Sequence, residues 1–404
     1  MGEHLRGKAA IVGFGDSYCK PDERRTAMRM AIEATRAALN DAGLEKNDID
    51  GVLVGRVPSS DIRPQWNNIF CAYTKITPRY SSEITVHAAG ANAMLKHAAL
   101  AVTNGVARFV LCVSADAGGL IDPRVVTAGM DADPEFEQPY EPIIPAIYAQ
   151  VACRLMHEYG ITEEDFAAVS VECQDWAIHH PYAAKAYKGP VSVEEVLASP
   201  MIASPLRMWN CAIWGPPGTA GVVIVASAED AKKLTKKPLY LQGFGELATH
   251  EYITDRMALR SSDLPLGPLP SITSTGARAA GAAAYKMAGI GPKDIDVLQT
   301  GSNFSHSELM ALSELGFTTL EDAGDYIRSG ATGQKGELPT NTNGGWLSFG
   351  QPGVSCVMDS VIETVRQLRG EALGKQVVDP QIGMVHALGG MMACQSVAIL
   401  SNST

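Results

Sequence analysis

The sequence predicts an α/β protein made of two related halves, and three observations support this prediction. The chain has 404 residues with 39 glycines and only 19% charged residues, a composition typical of a large compact α/β protein. Short apolar runs alternate with helical patterns along residues 1–115. A nine-residue segment at 42–50 also recurs at 288–296, between a helical pattern and an apolar run in both places.

The first three elements are predicted from the spacing of apolar residues. Residues 9–15 form a short apolar run that ends in glycines, as a buried strand would. Helical spacing extends from Thr26 to Ala42 and stops at Gly43, because glycine commonly ends a helix. The run Gly51–Gly55 predicts the next strand. An order of strand, helix and strand predicts a parallel sheet with right-handed crossovers.

Residues 84–105 then predict a buried helix with a start made of small residues. Alanine or glycine occupies positions 88–91 and 93, apolar residues continue with helical spacing, and Gly105 marks the end. The polar side chain of His87 is predicted at the beginning of this helix. Unpaired N–H groups at a helix start favour a carbonyl or thioester oxygen beside them. An apolar run at 109–114 predicts the following strand.

The recurring segment divides the chain. Its two copies share Ala, Gly, Asp, Ile and Asp at the same offsets, which indicates a duplication. We therefore predict an N-terminal half from residues 1–115 and 205–245, an inserted cap or loop region at 116–204, and a C-terminal half at 246–404. A proline-rich acidic stretch at 131–142 lies in the insertion, where long loops usually carry function.

Composition argues against several classes of protein. The net charge of −11 argues against a nucleic-acid binder, because phosphate contacts need clustered Lys and Arg. No run of about 18 apolar residues occurs and the N-terminus has no signal-peptide core, so we predict a cytoplasmic protein without a membrane segment. The eight cysteines are scattered without a C-x-x-C pair, which predicts reduced thiols and no metal site in this chain.

Four motifs carry a family resemblance. They are His-Ala-Ala-Gly-Ala-Asn-Ala at 87–93, Asn-Thr-Asn-Gly-Gly at 341–345, Gly-Gln-Pro-Gly at 350–353 and His-Ala-Leu-Gly-Gly at 386–390. Together with the duplicated halves they resemble the thiolase superfamily over essentially the whole chain. The resemblance is nearest to the branch that includes sterol-carrier-protein-type thiolases, the steroid side-chain aldolases and benzoylsuccinyl-CoA thiolase. It implies the thiolase fold, in which two βαβαβ halves form five layers in the order αβαβα.

The resemblance also implies a set of catalytic positions. The nucleophilic Cys of the family falls on His87, and its second, acid/base Cys falls on His386. The family's activating His falls on Gln351, the Asn that holds an oxyanion-binding water falls on Gly301, and the tyrosines of the steroid aldolases fall on these same two positions. The backbone N–H groups of His87 and Leu388 match the family's thioester oxyanion hole. Histidines can exchange protons near neutral pH, whereas the amide of Gln351 would orient the substrate because an amide does not titrate.

Five further positions are predicted to contact the substrate, namely Ser302, Asn303, His306, Asn343 and Cys211. The first three occupy the family's loop beside the reacting carbon, Asn343 belongs to the glycine-rich motif, and Cys211 is an alternative nucleophile from an adjacent loop. A purely structural role remains open for several of the predicted site residues. In that alternative, His87 is a hydrogen-bonded core residue of a degenerate site, Ser302 and His306 are packing groups, and Cys211 is an inert buried thiol.

Two functions from different classes follow. The first is an enzyme subunit that makes or breaks a carbon–carbon bond in an acyl-CoA. Its reaction would be thiolytic (retro-Claisen) cleavage of a bulky, branched or aromatic 3-oxoacyl-CoA such as benzoylsuccinyl-CoA, with retro-aldol cleavage of a 3-hydroxyacyl-CoA as the near variant. The second is a non-catalytic subunit that binds CoA or stabilises an active relative. The resemblance implies coenzyme A as substrate or product, a homodimer formed through sheet edges, and a small zinc-ribbon plus OB-fold partner that supplies a metal.

Overall fold

A computed structural model gives the arrangement of the chain and describes residues 3–19, 23, 25–55, 60–61, 63–117, 132–135, 137–212, 218–234, 237–250, 272–353 and 356–404. Its strands are β1 (Ala9–Tyr18), β2 (Gly51–Gly55), β3 (Tyr80–Ile84), β4 (Phe109–Asp116), β5 (Met201–Ala203), β6 (Leu206–Arg207), β7 (Thr219–Ser227), β8 (Leu239–Ala248), β9 (Val297–Gln299), β10 (Ile382–Gly389) and β11 (Cys394–Ser401). Its helices are α1 (Ala27–Ala42), α2 (Trp66–Thr74), α3 (Gly90–Thr103), α4 (Ile144–Tyr159), α5 (Glu163–Ala177), α6 (Val193–Ala198), α7 (Ala228–Ala231), α8 (Ala277–Ala288), α9 (Ser305–Glu314), α10 (Ala323–Arg328), α11 (Gly345–Ser348) and α12 (Cys356–Arg369).

The bounds of α1 follow from the residues at its two ends. The hydroxyl of Thr26 accepts a hydrogen bond from the Arg29 N–H, so it caps the first turn. Gly43 has φ 67° and ends the helix, because this left-handed conformation is favourable for glycine. The strand Gly51–Gly55 has the predicted bounds. The strands predicted at 9–15 and 109–114 extend three and two residues further.

The central helix α3 begins later than predicted. Its first residue is Gly90, three residues after His87. The prediction of a helix start at His87 is wrong because His87 has φ 45°, whereas a right-handed helix requires a negative φ. His87 therefore lies in the loop between β3 and α3.

Nine strands form one mixed sheet in the order β3-β2-β4-β7-β1-β8-β11-β10-β9. β2 pairs in parallel with β3 and β4, as predicted. β1 pairs antiparallel with β7 and β8, and β11 pairs antiparallel with β8 and β10. The prediction of a parallel sheet is therefore wrong for the centre of the sheet. β7 follows the long insertion and enters between β4 and β1 from the opposite direction, which the local order of elements does not reveal.

The helices α3 and α12 lie between two parts of this sheet. One part is β3-β2-β4-β7-β1 and the other is β8-β11-β10-β9. β1 and β8 are joined by only two residue pairs, Ala10 with Tyr240 and Ile11 with Leu239. α3 contacts β4 and β7 on one side and β8 and β11 on the other, while α12 contacts β1 and β7 as well as β9 and β10. α1 covers β1 and β7 from outside, and α8 covers β8 and β11. This arrangement confirms the predicted five-layer αβαβα order.

The two copies of the recurring segment have the same conformation. Gly43 and Gly289 both have φ 67° and ψ 33° at the end of a helix. A three-residue 3-10 helix follows in each copy, at 46–48 and 292–294. Its last residue, Asp48 or Asp294, accepts a 2.8 Å hydrogen bond from the backbone N–H three residues earlier. The shared glycines and aspartates are thus explained by a shared local structure, which supports the duplication.

A second pair of matching segments is recognised through its contacts in the structure. β1 contains Gly-Phe-Gly at 13–15, and β8 contains Gly-Phe-Gly at 243–245. A Cβ built on Gly15 would overlap the Ala34 carbonyl oxygen of α1, and one built on Gly245 would overlap the Ala280 carbonyl oxygen of α8. In both halves the backbone of the outer helix therefore rests directly on the backbone of a strand, and glycine is the residue that permits this approach.

The predicted insertion contains three of the helices. α4 begins at Ile144, and α5 begins with a reciprocal cap in which Thr162 and Asp165 exchange hydrogen bonds. Residues 118–131 of the predicted cap lie outside the described residues. The division of the chain at residue 245 stays a prediction, and β8 runs across that boundary. Among the described residues no helix combines the length and the apolar character needed to cross a membrane.

Candidate active site

The loop that carries His87 joins β3 to α3 through two successive turns. The Ala89 N–H donates to the Val86 carbonyl at 3.0 Å, and the Gly90 N–H donates to the His87 carbonyl at 3.2 Å. The left-handed φ of His87 is uncommon for a residue with a side chain and is kept only where surrounding contacts hold it. The side chain is half-buried, and no described residue hydrogen-bonds its ring. The imidazole is therefore available to a ligand.

The end of β10 packs against this loop from the other half of the chain. A Cβ built on Gly389 would lie 2.7 Å from the His87 Cβ, 3.0 Å from the Val86 carbonyl oxygen and 3.1 Å from the Ala88 nitrogen. Glycine is required because two of these three atoms belong to backbone that cannot rotate away. Gly390, with φ 59°, borders the imidazole of His87. The candidate site thus forms where the two halves meet.

His386 lies on β10, is only 2% exposed, and is held in one tautomer by Gln395. The Gln395 Nε2 donates to the Met392 carbonyl at 2.9 Å, so the Gln395 Oε1 accepts from the His386 Nε2 at 2.9 Å. The His386 Nδ1 then carries the lone pair and accepts from the Thr300 hydroxyl at 2.7 Å. Burial lowers the pKa of His386 to about 4. His386 is therefore neutral at pH 7 and can act on a substrate only if one of these hydrogen bonds is released.

A buried polar chain continues from Thr300. The Asn341 Oδ1 accepts from the Thr300 N–H at 3.0 Å, and the Asn341 Nδ2 donates to the Glu308 Oε2 at 2.7 Å. Burial raises the pKa of Glu308 to about 7. This chain fixes the backbone of Thr300, the residue whose hydroxyl donates to His386. The sequence analysis missed Thr300, Glu308 and Gln395, although the motif at 341–345 was a signal that pointed to this region.

Other side chains fill the space beside Gly301. A Cβ built on Gly301 would lie 2.9 Å from the Leu388 Cδ2 and 3.2 Å from the Trp346 Cη2. Leu388 and Trp346 therefore occupy the volume into which a larger residue at 301 would project. Leu388, which was predicted for its backbone N–H, lies opposite Gln395 in the β10–β11 ladder and also has this space-filling role.

Ser302, Asn303 and Asn343 hold the loops around Trp346. The Ser302 Oγ accepts from the Trp346 N–H at 3.0 Å, and the Asn343 Oδ1 accepts from the backbone N–H two residues later at 2.9 Å. The Asn303 carbonyl accepts a 2.8 Å bond from the residue after Cys211. These buried residues thus have structural partners, and their contact with substrate stays a prediction.

Cys211 and Gln351 were also predicted at the site. Cys211 forms a backbone bridge with Phe304, which places it beside the loop that contains Ser302 and Asn303. Burial raises the pKa of the Cys211 thiol to about 12, so the thiol is protonated at neutral pH and is a weak nucleophile. Gln351 is half-buried, which leaves part of this residue exposed to solvent.

His306 lies behind this loop and is fully buried among aromatic rings. The centroids of Tyr148 and Phe304 lie 5.8 Å from its ring, and that of Phe166 lies 6.1 Å away. Neither ring nitrogen has a hydrogen-bond partner in the described part of the chain. Burial lowers the pKa of His306 to about 3. This environment favours the packing role that the sequence left open.

Replacement of His306 by Leu is expected to reduce the loss of stability in acid. The unfolded histidine binds a proton below about pH 6.5 but the folded one does not until about pH 3, so His306 destabilises the fold progressively between these values. We expect the stability of His306→Leu relative to wild type to rise by ~2 kcal/mol between pH 7.5 and pH 5. Chemical unfolding of both proteins at the two pH values measures this difference. A difference that does not change with pH would contradict the assignment.

Two other features bear on ligand binding. A cavity of about 640 Å³ lies beside α1 and α2, but none of the predicted site residues lines it. Two of its arginines, Arg29 and Arg63, are paired with Glu33 and Asp61. Among the described residues, no group of three His, Cys, Asp or Glu side chains is arranged to hold a metal ion.

Comparison with known proteins identifies relatives of the whole chain. The Thiolase C-terminal domain-like family matches residues 261–402. An acetyl-CoA acetyltransferase of Methanothermobacter thermautotrophicus is 30% identical over 92% of this chain and 94% of its own length. The 17-hydroxy-3-oxo-4-pregnene-20-carboxyl-CoA lyase of Mycobacterium tuberculosis is 32% identical over 95% of this chain and 96% of its own length.

The solved structures agree with these sequence matches. The structure of the Ltp2-ChsH2(DUF35) aldolase has a TM-score of 0.81 at 28% identity, covering 98% of both chains. The relatives of 30% and 32% identity and this structural match together show the family of the chain. The chain belongs to the thiolase family, in its thiolase-like branch.

Proposed function

We propose that this chain is a thiolase-like subunit that makes or breaks a carbon–carbon bond in an acyl-CoA. The favoured reaction is thiolytic cleavage of a bulky, branched or aromatic 3-oxoacyl-CoA such as benzoylsuccinyl-CoA. The observation that carries the proposal is the placement of His87, a half-buried imidazole without a partner among the described residues, against Gly389 and Gly390. His87 is more accessible to a substrate than His386, which is engaged at both ring nitrogens.

In the thiolysis direction, His87 removes the proton from the thiol of free CoA, and the sulfur attacks the ketone carbon. The S–C bond forms while the ketone becomes an oxyanion. Collapse of this oxyanion breaks the C2–C3 bond and leaves the electron pair on C2 as a thioester enolate. The protonated His87 then returns its proton to C2, so two acyl-CoA molecules form without an acyl-enzyme. The N–H groups of His87 and Leu388 would bind the thioester oxygen and stabilise the enolate.

Retro-aldol cleavage is the near variant of this reaction. A base removes the proton of a 3-hydroxyl group, and the C2–C3 bond breaks to give a carbonyl compound and the same thioester enolate. Similarity to a carboxyl-CoA lyase and to an aldolase supports this variant. The two reactions differ in one reactant, because thiolysis consumes free CoA and retro-aldol cleavage does not.

A non-catalytic CoA-binding or scaffold subunit is the second candidate function. The observation that favours it is the space beside Gly301, which the apolar side chain of Leu388 and the ring of Trp346 fill. The hydrogen bonds at both ring nitrogens of His386 also favour a non-catalytic function, because they engage the ring. Such a subunit would bind CoA but would not transfer protons.

We also propose a homodimer and a second subunit. β3 ends the described sheet, and a second copy could pair with this edge. Because the His87 loop follows β3 directly, such a dimer would lie beside the site. Similarity to the Ltp2-ChsH2(DUF35) aldolase supports a partner subunit, for which a small zinc-ribbon plus OB-fold protein is proposed. Light scattering of the purified chain, with and without co-purifying proteins, measures both assemblies.

The experiment that tests the proposed function combines binding with product analysis. The purified chain, alone and with any co-purifying subunit, is titrated calorimetrically with CoA and then incubated with aromatic and branched 3-oxoacyl-CoAs and 3-hydroxyacyl-CoAs. Thiolysis is expected to consume one CoA per cleavage and to give two acyl-CoA products. Cleavage of a 3-hydroxyacyl-CoA without CoA consumption would support the retro-aldol variant instead. CoA binding without turnover of any of these compounds would support the scaffold function.

A further inference from the structure

Lys185 is a buried cation for which the proposed reaction has no use. Its backbone N–H donates to the Ser348 carbonyl at 3.0 Å, and its carbonyl accepts from the Gln174 Nε2 at 3.1 Å. Only 3% of the residue is exposed. Its ammonium group contacts the Cys211 carbonyl at 3.4 Å and lies 4.8 Å from the centroid of the Trp209 ring. The backbone thus fixes the lysine, while its ammonium group makes one polar contact with the described residues, at long distance.

No carboxylate faces this ammonium group within the described part of the chain. The groups that surround it are the thiols of Cys173 and Cys211, the indole of Trp209, and a second cation, Lys188, whose Nζ lies 5.0 Å from the same indole. Buried charges in proteins are normally paired, because a charge removed from water is costly without a counter-ion. Of these two cations only Lys185 is buried, since Lys188 is exposed to solvent. A buried ammonium group that no carboxylate faces in the described part of the chain indicates a place for an anion.

The ammonium group lies beside the loop that is predicted to contact the acyl chain. Cys211, whose carbonyl it touches, pairs with Phe304 and is followed by a residue that donates to the Asn303 carbonyl. On the other side, the backbone of Lys185 is tied to Ser348 at the end of α11. An anion held by Lys185 would thus be part of the ligand at the candidate site.

We propose that Lys185 binds an anionic oxygen group of the acyl-CoA ligand, with a carboxylate on the acyl chain as the favoured source. This inference rests on the proposed function, because it requires that an acyl-CoA occupies the site. A carboxylate suits the position because it can accept a charge-assisted hydrogen bond from the ammonium group. The 3′-phosphate of CoA has the same chemistry and is the other source that the experiment must distinguish.

The charge of Lys185 gives this binding a pH dependence. Burial and the neighbouring Lys188 lower the pKa of Lys185 to about 8. The thiols of Cys173 and Cys211 face the amine, and Glu308 lies behind Cys173 as the acceptor of its S–H. The ammonium form prevails at pH 7 and is lost as the pH rises through about 8. Preference for an anionic ligand is therefore expected at pH 7 and should decline by pH 9.

Calorimetric titration with matched ligands tests the proposal. Wild type, Lys185→Met and the exposed control Lys293→Met are titrated with succinyl-CoA and with butyryl-CoA, which has the same chain length but no free carboxylate. We expect wild type and the control to bind succinyl-CoA about tenfold more tightly, because a charge-assisted hydrogen bond contributes about this factor. Lys185→Met is expected to lose this preference while keeping its affinity for butyryl-CoA.

Titration with CoA and dephospho-CoA distinguishes the two anions. If Lys185→Met weakens the binding of CoA but not of dephospho-CoA, the anion is the 3′-phosphate. Unchanged affinities for all four ligands in Lys185→Met would overturn the inference while leaving acyl-CoA binding intact. Failure of wild type to bind any CoA compound would instead overturn the proposed function. If Lys185→Met does not fold, the affinities of wild type for succinyl-CoA and butyryl-CoA are compared at pH 7 and at pH 9. A preference for succinyl-CoA that is absent, or that does not change with pH, overturns the inference.

Discussion

Replacement of His87 by Asn is expected to lower kcat by about two to four orders of magnitude, the usual contribution of a general acid or base. Asparagine is the informative substitution because it tolerates a left-handed φ better than alanine does, and its amide cannot titrate. The affinity for CoA should stay within about threefold, since the proposed oxyanion hole uses the backbone N–H of residue 87 and not its side chain. Steady-state kinetics and calorimetric titration of CoA measure the two effects separately.

His97 provides the matched control for this substitution. It is an exposed histidine on α3, ten residues after His87, and His97→Asn should retain wild-type turnover. Wild-type kcat in His87→Asn would remove His87 from the chemistry. If His386→Asn instead abolished turnover without unfolding the protein, the proton transfer would belong to His386, and its bonds to Thr300 and Gln395 would have to open in each cycle.

Replacement of Gly245 by Ala is expected to destabilise the fold by about 3 kcal/mol or more, the upper range for a methyl group forced into a packed core. The added Cβ would overlap the backbone of Ala280, and backbone cannot move aside as a flexible side chain can. β8 and α8 would have to separate, which exposes the outer layer of the C-terminal half. Loss of soluble protein or a lower thermal midpoint in matched scans is the expected result.

Gly291 is the control for this glycine substitution. The nearest atom to a Cβ built there is 4.0 Å away, and its φ of −127° is accessible to alanine. Gly291→Ala should therefore have the thermal midpoint of wild type. Equal midpoints for Gly245→Ala and Gly291→Ala would show that strand and helix in this half are less tightly packed than the structure indicates.

Much of the fold could be predicted because its determinants are local. Gly43 and Gly289 end their helices, and Asp48 and Asp294 close the short turns that follow. The duplication can therefore be recognised in the sequence. The Gly-Phe-Gly segments of β1 and β8 carry the same information but are too short to recognise without the helices that pack on them. The antiparallel centre of the sheet was missed because β7 reaches its place only after the long insertion.

The sequence indicated the region of the candidate site, and the roles of its residues stay predictions. The motif predicted His87 at the start of α3, whereas the structure places it in the preceding loop, against Gly389. This is a contact between residues far apart in sequence. The state of His386 likewise depends on Thr300 and Gln395, which a motif centred on residues 386–390 does not include. Contacts of this kind follow from the packed fold rather than from local pattern.

The short join between β1 and β8 has a consequence for the spacing of the two halves at the candidate site. With two residue pairs across the join, the separation of the halves depends on the helices that lie between them, and α3 is fastened to the far half by Asn92, which donates to the Val385 carbonyl at 3.0 Å. The same helix starts three residues after His87. α3 thus acts as a spacer that sets the gap between His87 and Gly389. Adding or removing one methyl group at a buried alanine of α3 would therefore change the gap between His87 and Gly389, although the substituted residue would contact no ligand.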